Sequence, residues 1–445
     1  MYSPKARAAE PLHRLFAERT QRAEPSHILR RLLSTDYPSA RIPILRLFRQ
    51  GIHLSTFAKS KIGSHPEAGP ITLPLAFLPT SPYNPSTRLE PVTHFLTGAC
   101  LGRAGLNRKT ALATLTLTLA AEAPDLDVLS RFGGPAFGFA HHRGFTHSFL
   151  GVPLDAAVVV GFVYLIWRIR RRKVKNPNLP PRWGLLYLYA CLAGLSHILL
   201  DFTNNYGVRP FWPFSEKWYS WDIVFIFEPI MFSCLLLGLI APSLFSLIDK
   251  EIGARQRGPR GRIAAILALI AVASLWTVRD YEHRRAVNAL EARTYSGAEP
   301  IRVSAYPALA SPFLWYGVVE TSNFFVLAPV DSLGPDVDPE GKFQVLYKPE
   351  ETAITLAAKR SYLGRVYLDW AQYPITQSET LGPPDPGYIV DFQDLRFVQL
   401  PSPLSRSGSR RALGAGVRLD LNLHVVGDVY GSGQKRVVVP EPGPD

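Results

Sequence analysis

Histidine and aspartate residues interrupt several apolar stretches of this sequence at spacings that suit a metal ion. His197 and Asp201 are four residues apart in an apolar run, so a helix would place the imidazole and the carboxylate on one face, one turn apart. Asp125 and Asp127 flank one residue directly after Pro124, and an extended turn would point both carboxylates to the same side. Each pair alone is also typical of ordinary hydrogen bonding or turn structure.

Three further histidines extend this pattern. His94 lies near the start of an apolar segment, whereas His142 and His147 are five residues apart and do not fit one helical face. The last two would converge only if 141–146 form a loop that leads into a helix. Imidazole and carboxylate ligands without cysteine suit zinc, and also manganese or iron. The predicted metal ligands are His94, Asp125, Asp127, His142, His147, His197 and Asp201. Since one zinc centre takes four ligands, this set predicts either two metals or some carboxylates that orient the imidazoles.

Three residues in the same stretches are predicted to take part in catalysis. A bound divalent metal would lower the pKa of a water molecule and polarise the scissile group. An aspartate that does not bind the metal would act as general base, and Asp127 is the candidate. Arg143 or Arg209 would offset the negative charge that develops on a phosphate-containing substrate, although both could instead face lipid headgroups.

The apolar stretches that carry these residues predict membrane helices. Two of them, 92–106 and 110–123, are short and could be a short span and a half-buried or re-entrant helix. The other four are near the roughly 20 residues that a bilayer requires, and they are 148–167, 185–203, 223–248 and 263–278. The predicted fold class is mainly α, with a polytopic transmembrane bundle of about four to six helices followed by a small soluble α+β domain.

Basic residues predict how the helices are oriented. Basic loops near 103–109, 168–175 and 250–262 alternate with loops that are not basic, and the positive-inside rule assigns the basic ones to the cytoplasm. All seven predicted ligands then fall on the opposite side. The sequence therefore predicts one metal site at the extracytoplasmic surface of a membrane.

Three domains are predicted along the chain. Residues 1–89 carry 13 Lys and Arg against 5 Asp and Glu and contain no spanning run, so we expect disorder, or an extension upstream of a true start near Leu89. Residues 90–279 form the transmembrane metal-hydrolase-like domain. Residues 280–445 contain strand-like stretches at 324–327 and 417–423 and a predicted helix near 352–371, which indicates an extracytoplasmic α+β domain.

Composition narrows the classes of function. The 445 residues are 47% hydrophobic and 19% charged, which excludes a disordered chain and collagen. The formal net charge of +13 could indicate nucleic-acid binding, but the excess lies in 1–89 and in short loops beside apolar runs, so no nucleic-acid partner is predicted. Cys100, Cys191 and Cys234 lie in apolar segments without metal-like spacing and are predicted to be packing residues.

The motifs also resemble a known family. They are THFLTG at 93–98, PDLD at 124–127, HRGFTHS at 142–148, and HILLD at 197–201 followed by NNYG at 204–207. Together they are similar to the YdjM-type family of inner-membrane, metal-dependent hydrolases, over roughly 90–230. This resemblance implies an integral hydrolase of the bacterial inner membrane with a generally undefined substrate. The family is also described as binding the repressor LexA, so a LexA-type partner is implied by the resemblance alone.

The sequence thus predicts a membrane-bound metal-dependent hydrolase whose partners are the lipid bilayer and a lipid-derived substrate, such as a lipid-linked phosphoester. Two other classes stay open. In an ion transporter the same residues would form a transit site, which needs polar groups deep in the helices, and few occur beyond Asp155 and the threonines at 114, 116 and 118. In a membrane scaffold the tail would bind a partner and the His/Asp cluster would be structural.

Overall fold

The computed structural model describes residues 86–170, 179–251, 261–334, 336–338, 341, 343–398 and 413–430. The predictions made for 1–89 fall outside these residues, apart from the first turn of the first helix. Seven helices come first in the described chain, and a domain of β-strands with two short helices follows.

The helices of the first part agree closely with the apolar stretches. Their bounds are α1 (Ser86–Arg103), α2 (Ala113–Glu122), α3 (Pro135–His141), α4 (Gly151–Ile169), α5 (Trp183–Thr203), α6 (Pro229–Glu251) and α7 (Gly261–Glu291). Among the described residues, α4, α5, α7 and the Pro229–Leu247 part of α6 are long and apolar enough to cross a membrane. At 10 residues α2 is too short to do so. The predicted fold class, a helix-rich membrane part followed by a small sheet-containing domain, is confirmed.

The helices pack in two apolar groups that share α5. In the first, α2 lies against α4 and α5 through buried residues such as Leu117, Val163 and Ala193. In the second, α1 lies against α6 and α7, with Cys100 among the buried residues. Helices α1 and α2 approach closely at Gly98, where a Cβ atom would lie 2.5 Å from the carbonyl oxygen of Leu117. This close approach brings α1 beside the middle of α2.

The C-terminal domain contains two antiparallel sheets. The first comprises β1 (Arg302–Pro307), β2 (Leu314–Glu320), β3 (Phe324–Asp331), β4 (Asp336–Val337) and β5 (Gln344–Tyr347), in the order β1-β2-β3-β4 with β5 also paired to β3. Two helices follow, α8 (Ala353–Arg360) and α9 (Tyr362–Trp370). The second sheet comprises β6 (Pro374–Leu381), β7 (Gly387–Asp394), β8 (Ala415–Leu419) and β9 (Val425–Tyr430), in sequence order.

Two predicted elements of this domain are shorter than expected. The helix predicted near 352–371 is interrupted at Ser361, whose extended backbone ends α8 and whose hydroxyl accepts a hydrogen bond from the Gly364 amide at the start of α9. The strand predicted at 417–423 ends at Leu419, because the Asp420 carboxylate accepts backbone hydrogen bonds from Asn422 and His424 and forms a turn.

Helix α7 connects the two parts of the protein without a linker. Its 31 residues extend over about 46 Å, more than the roughly 30 Å of a hydrocarbon core. Its last turns lie in the C-terminal domain, where Ala286 and Leu290 pack with Trp315 and Val319 of β2. The helix therefore continues past residue 279, the predicted end of the transmembrane domain.

The C-terminal domain also docks on the loop that follows α5. Arg396 is buried and pairs with Asp394 at 2.9 Å, and it donates hydrogen bonds to the carbonyl oxygens of Asn205 (2.9 Å) and Trp370 (3.0 Å). The indole of Trp370 in turn donates to the carbonyl oxygen of Tyr206 at 3.1 Å. One arginine thus joins the second sheet, α9 and the loop after α5.

Replacing Arg396 with Gln should destabilise this docking strongly. The substitution leaves the Asp394 carboxylate buried without its cation, for which we expect a loss of about 3–5 kcal/mol in the free energy of unfolding. Limited proteolysis and thermal unfolding of the detergent-purified protein would measure it. Arg418→Gln is the matched control, since Arg418 pairs with the exposed Asp385 and should change stability by less than about 1 kcal/mol. Equal stability of the two variants would contradict this role of Arg396.

A candidate His/Asp metal centre

Five ionisable residues from four elements converge beside the end of α5. His197 and Asp201 come from α5, His94 from α1, Asp125 from the 3-10 segment Ala123–Gly133, and His147 from the 3-10 turn Phe145–His147. The histidines and Asp201 are buried, and the side chain of Asp125 is 26% exposed. The predicted ligands on α5 and on the turn before α4 therefore lie close together in the structure.

Three ligand atoms in this cluster, from His147, His197 and Asp201, lie close enough to share one metal ion, and a carboxylate oxygen of Asp125 lies beside them. His147 Nε2 lies 3.0 Å from His197 Nε2, and these nitrogens lie 3.2 and 3.4 Å from Asp201 Oδ2. Asp125 Oδ1 is 3.6 Å from both nitrogens. Ligand atoms about 2.0–2.2 Å from a tetrahedral zinc ion are about 3.3–3.6 Å from one another. These distances are close to that range, so His147, His197 and Asp201 could hold a divalent cation, with Asp125 adjacent.

The orientation of the imidazoles supports the same conclusion. His197 Nδ1 lies 2.6 Å from the carbonyl oxygen of Ala121, which can only accept, so Nδ1 carries the hydrogen and Nε2 presents a lone pair to the cluster. His147 Nδ1 lies 3.4 Å from Asp127 Oδ2, which favours the same tautomer. Asp201 Oδ2 is buried and accepts no hydrogen bond. Lone pairs that face one another in a buried space need a proton or a metal ion between them.

His94 adds a fifth candidate ligand. Its ring stacks on that of His197 at a centroid distance of 3.8 Å, and its Nε2 lies 3.4 Å from Asp201 Oδ1. His94, Asp125 and His197 also offer ligand atoms that lie within 4.8 Å of one another. Helix α1 begins earlier than predicted, so His94 lies about two turns inside it and not at its end.

Asp127 and His142 lie beside this group and support it. Asp127 Oδ2 accepts a hydrogen bond from the Arg143 amide at 2.6 Å, and Oδ1 lies 3.1 Å from His142 Nδ1. Burial alone would raise the pKa of Asp127, but His142, His147 and the Arg143 amide outweigh it and lower this pKa. The carboxylate is therefore ionised at neutral pH and holds both rings in orientation.

Charge complementarity is strong around His147. Burial alone would lower its pKa, but the carboxylates of Asp125, Asp201 and Asp127 raise the pKa of His147 to about 9. The pKa of Asp125 is held below its usual range, since His197, His147 and His94 outweigh the effect of burial. The cluster thus attracts positive charge.

The two predicted catalytic arginines have different surroundings. Arg143, at φ 52°, points inward and donates to Asp201 Oδ1 at 2.9 Å and to Asn204 Oδ1 at 3.2 Å. Arg209 donates to the carbonyl oxygens of Ala140 (2.6 Å) and His142 (3.0 Å). Arg143 therefore neutralises a candidate ligand, whereas Arg209 lies over the loop that carries His142.

The loop after α5 holds Arg143 in place, a role that spacing alone did not reveal. Asn204 Oδ1 accepts from the Tyr206 amide at 2.9 Å, and the Gly207 carbonyl oxygen accepts from Arg143 at 3.0 Å. At Gly207 φ is +89°, and a Cβ atom would lie 3.1 Å from the Tyr219 carbonyl oxygen, so a glycine suits this turn. The NNYG sequence at 204–207 is the feature of the sequence that could have indicated this role.

A cleft of about 630 Å³ opens beside the cluster. Asp127, Thr146 and Arg209 line it on the membrane part, and Tyr362 and Arg365 of α9 line it on the C-terminal domain. Since Asp127 also contacts His142 and His147, the cleft reaches the residues that surround the candidate metal centre.

This fold and site define a helical membrane protein with a buried His/Asp cluster at the ends of its apolar helices. The model of the family described as YdjM inner membrane protein matches residues 89–284, which confirms the resemblance predicted from the motifs. The uncharacterized protein YfhP of Bacillus subtilis (strain 168) is 29% identical over 150 residues, which are 32% of this chain and 42% of that protein. The match thus spans less than half the length of this relative. No solved structure matches the chain.

Removing one ligand should abolish metal binding. We expect elemental analysis of the detergent-purified protein, after zinc supplementation and desalting, to find stoichiometric metal in the wild type and little in His197→Ala or Asp201→Asn, because the remaining donors no longer complete the site. His424→Ala is the matched control, since His424 also stands four residues from an aspartate but is 79% exposed. A wild type without metal, or variants that keep it, would contradict the assignment.

Proposed function

We propose that the protein is a membrane-bound, zinc-dependent hydrolase that acts on a lipid or lipid-linked phosphoester at the extracytoplasmic surface of the membrane. The observation that carries the proposal is the set of ligand atoms from His147, His197 and Asp201, with Asp125 adjacent, beside a cleft. Zinc in such a set supplies Lewis-acid activation of water and of the scissile bond.

The residues around the set have roles that suit hydrolysis. Asp127 lines the cleft, is ionised at neutral pH, and can accept a proton from an attacking water. His142 shares that carboxylate at 3.1 Å and can relay the proton. Arg209 also lines the cleft and can stabilise negative charge on a phosphoryl group.

The position of the cluster favours a reaction at the membrane surface over ion transit. Helix α4 begins just after His147, and α5 ends at Thr203, directly after Asp201. At the other end of the helices, Arg103 donates to the Leu239 carbonyl oxygen of α6, and Arg262 donates to the Ala104 carbonyl oxygen. Basic residues at that end favour a cytoplasmic location for it and an extracytoplasmic one for the cluster, with α4 to α7 as membrane spans.

Exposed apolar side chains near the cluster support a lipid-derived substrate. Phe149 and Leu150 at the start of α4, and Phe211 and Phe214 on the loop after α5, are 47–85% exposed. The rings of Phe149 and Phe211 are in contact at a centroid distance of 5.5 Å. Such side chains suit the boundary between lipid headgroups and acyl chains.

Hydrolysis should depend on both the metal and Asp127. Phosphate release from phosphatidic acid and from farnesyl diphosphate in mixed micelles should appear with zinc and vanish with a chelator. Asp127→Asn should lower kcat about 10²–10⁴-fold while zinc content is kept, because the proton acceptor is lost. Asp420→Asn, in an exposed turn, is the control. Activity that survives chelation, or full activity of Asp127→Asn, would argue against this mechanism.

A reporter fused after the C-terminal residue tests the orientation. Alkaline phosphatase should be active at that position and green fluorescent protein dark, since the first folds outside the cytoplasm and the second inside it. The reverse pattern would place the cluster and the C-terminal domain in the cytoplasm and overturn the extracytoplasmic assignment.

A further inference from the structure

The C-terminal domain forms one wall of the cleft beside the candidate metal centre. From α9, Tyr362, Arg365, Asp369 and Trp370 face it, and from the membrane part it is closed by residues that include Arg209. The walls are fixed to each other, because the Trp218 indole donates to Asp369 Oδ2 at 3.1 Å.

Two guanidinium groups face this cleft without a carboxylate partner in the described parts of the chain. Arg209 is 6% exposed, its Nη2 donates only to backbone carbonyl oxygens, and its Nε has no acceptor. Arg365 donates to the Arg360 carbonyl oxygen at 3.0 Å. A buried cation with an unsatisfied N–H group favours an anionic ligand.

The carboxylates of the cleft attract Arg209 electrostatically, but in the described chain none of them forms a direct ion pair with Arg209 or Arg365. Asp127 accepts from the Arg143 amide and faces His142. Asp369 is four residues after Arg365 on α9, yet its carboxylate accepts from Trp218. Glu216 is exposed. Arg209 lies over the Trp218 ring at 4.5 Å, and both arginines could still donate to an anionic ligand in the cleft.

The rest of the lining is aromatic and leads toward the membrane. Trp212 packs against Phe145 at a centroid distance of 5.7 Å, and both line the cleft. The exposed Phe211 and Phe214 flank Trp212, and Phe211 contacts Phe149 at the start of α4. The apolar lining is thus continuous with the exposed face of α4.

We infer that this cleft binds an anionic amphiphile, with its phosphate group between Arg209 and Arg365 and its apolar chain along Phe145 and Trp212 toward the membrane. This inference rests on the proposed function for its phosphoester chemistry, and it assigns Arg365, and with it the C-terminal domain, to substrate recognition. Arg365 is a specificity-determining residue, not a catalytic one.

Equilibrium binding without turnover tests the inference. Isothermal titration of the full chain in phosphatidylcholine nanodiscs, with a chelator present, would compare dihexanoyl phosphatidic acid, dihexanoyl phosphatidylcholine and inorganic phosphate. We expect the phosphatidic acid to bind and Arg365→Gln to weaken it about tenfold, the size of one lost charge-assisted hydrogen bond. Arg365→Lys should restore part of the affinity. Arg360→Gln, which changes a neighbouring exposed arginine outside the lining, should bind as the wild type does.

The possible results separate this inference from the proposed function. Equal affinity for the two lipids would exclude recognition of the anion, and equal affinity for inorganic phosphate would exclude the amphiphile. Unchanged binding by Arg365→Gln, together with zinc-dependent hydrolysis, would refute the inference and leave the hydrolase intact. Binding that depends on Arg365 without any hydrolysis would support the cleft as a lipid site and refute the hydrolase.

Discussion

The buried carboxylate of Asp201 is the charge around which the site is arranged. It lies in the last turn of an apolar helix and is 1% exposed, where an unpaired charge is strongly unfavourable. Arg143, His94, His147 and His197 surround it at 2.9–3.4 Å. These partners come from α1, from the turn before α4 and from α5 itself. Pairing this carboxylate therefore constrains the arrangement of three separate parts of the chain.

The loop after α5 transmits that constraint to the C-terminal domain. Asn204 and Gly207 hold Arg143 on Asp201, while the neighbouring carbonyl oxygens of Asn205 and Tyr206 accept hydrogen bonds from Arg396 and Trp370. One short segment thus contacts the candidate metal centre on one side and the second sheet on the other. The domain after α7 is a structural neighbour of the site, although its residues are distant in sequence.

The proximity of the predicted ligands could be read from the sequence where spacing within one element decides it. His197 and Asp201 follow from helical periodicity, and the convergence of Asp125 and His147 follows from helix ends that meet on one side. The inward direction of Arg143 was not predictable, because it depends on a positive φ and on acceptors 58 to 64 residues away. The interruption of the helix at Ser361 was not predicted. The sequence around it fits one continuous helix, and the serine hydroxyl that caps α9 gives the local signal for a break. The cleft wall on α9 was missed for a different reason, because it arises from tertiary docking alone.

The uninterrupted course of α7 sets the distance and the rotation of the C-terminal domain relative to the other helices. Each residue of a helix adds about 1.5 Å and turns the chain by about 100°. Inserting or deleting one residue in α7 would rotate β2 and α9 away from the loop after α5, whereas a flexible linker would absorb the change. In the proposed membrane arrangement, the helix would therefore fix the distance from the lipid headgroups to the cleft, and membranes of different thickness would present their headgroups to it at different depths.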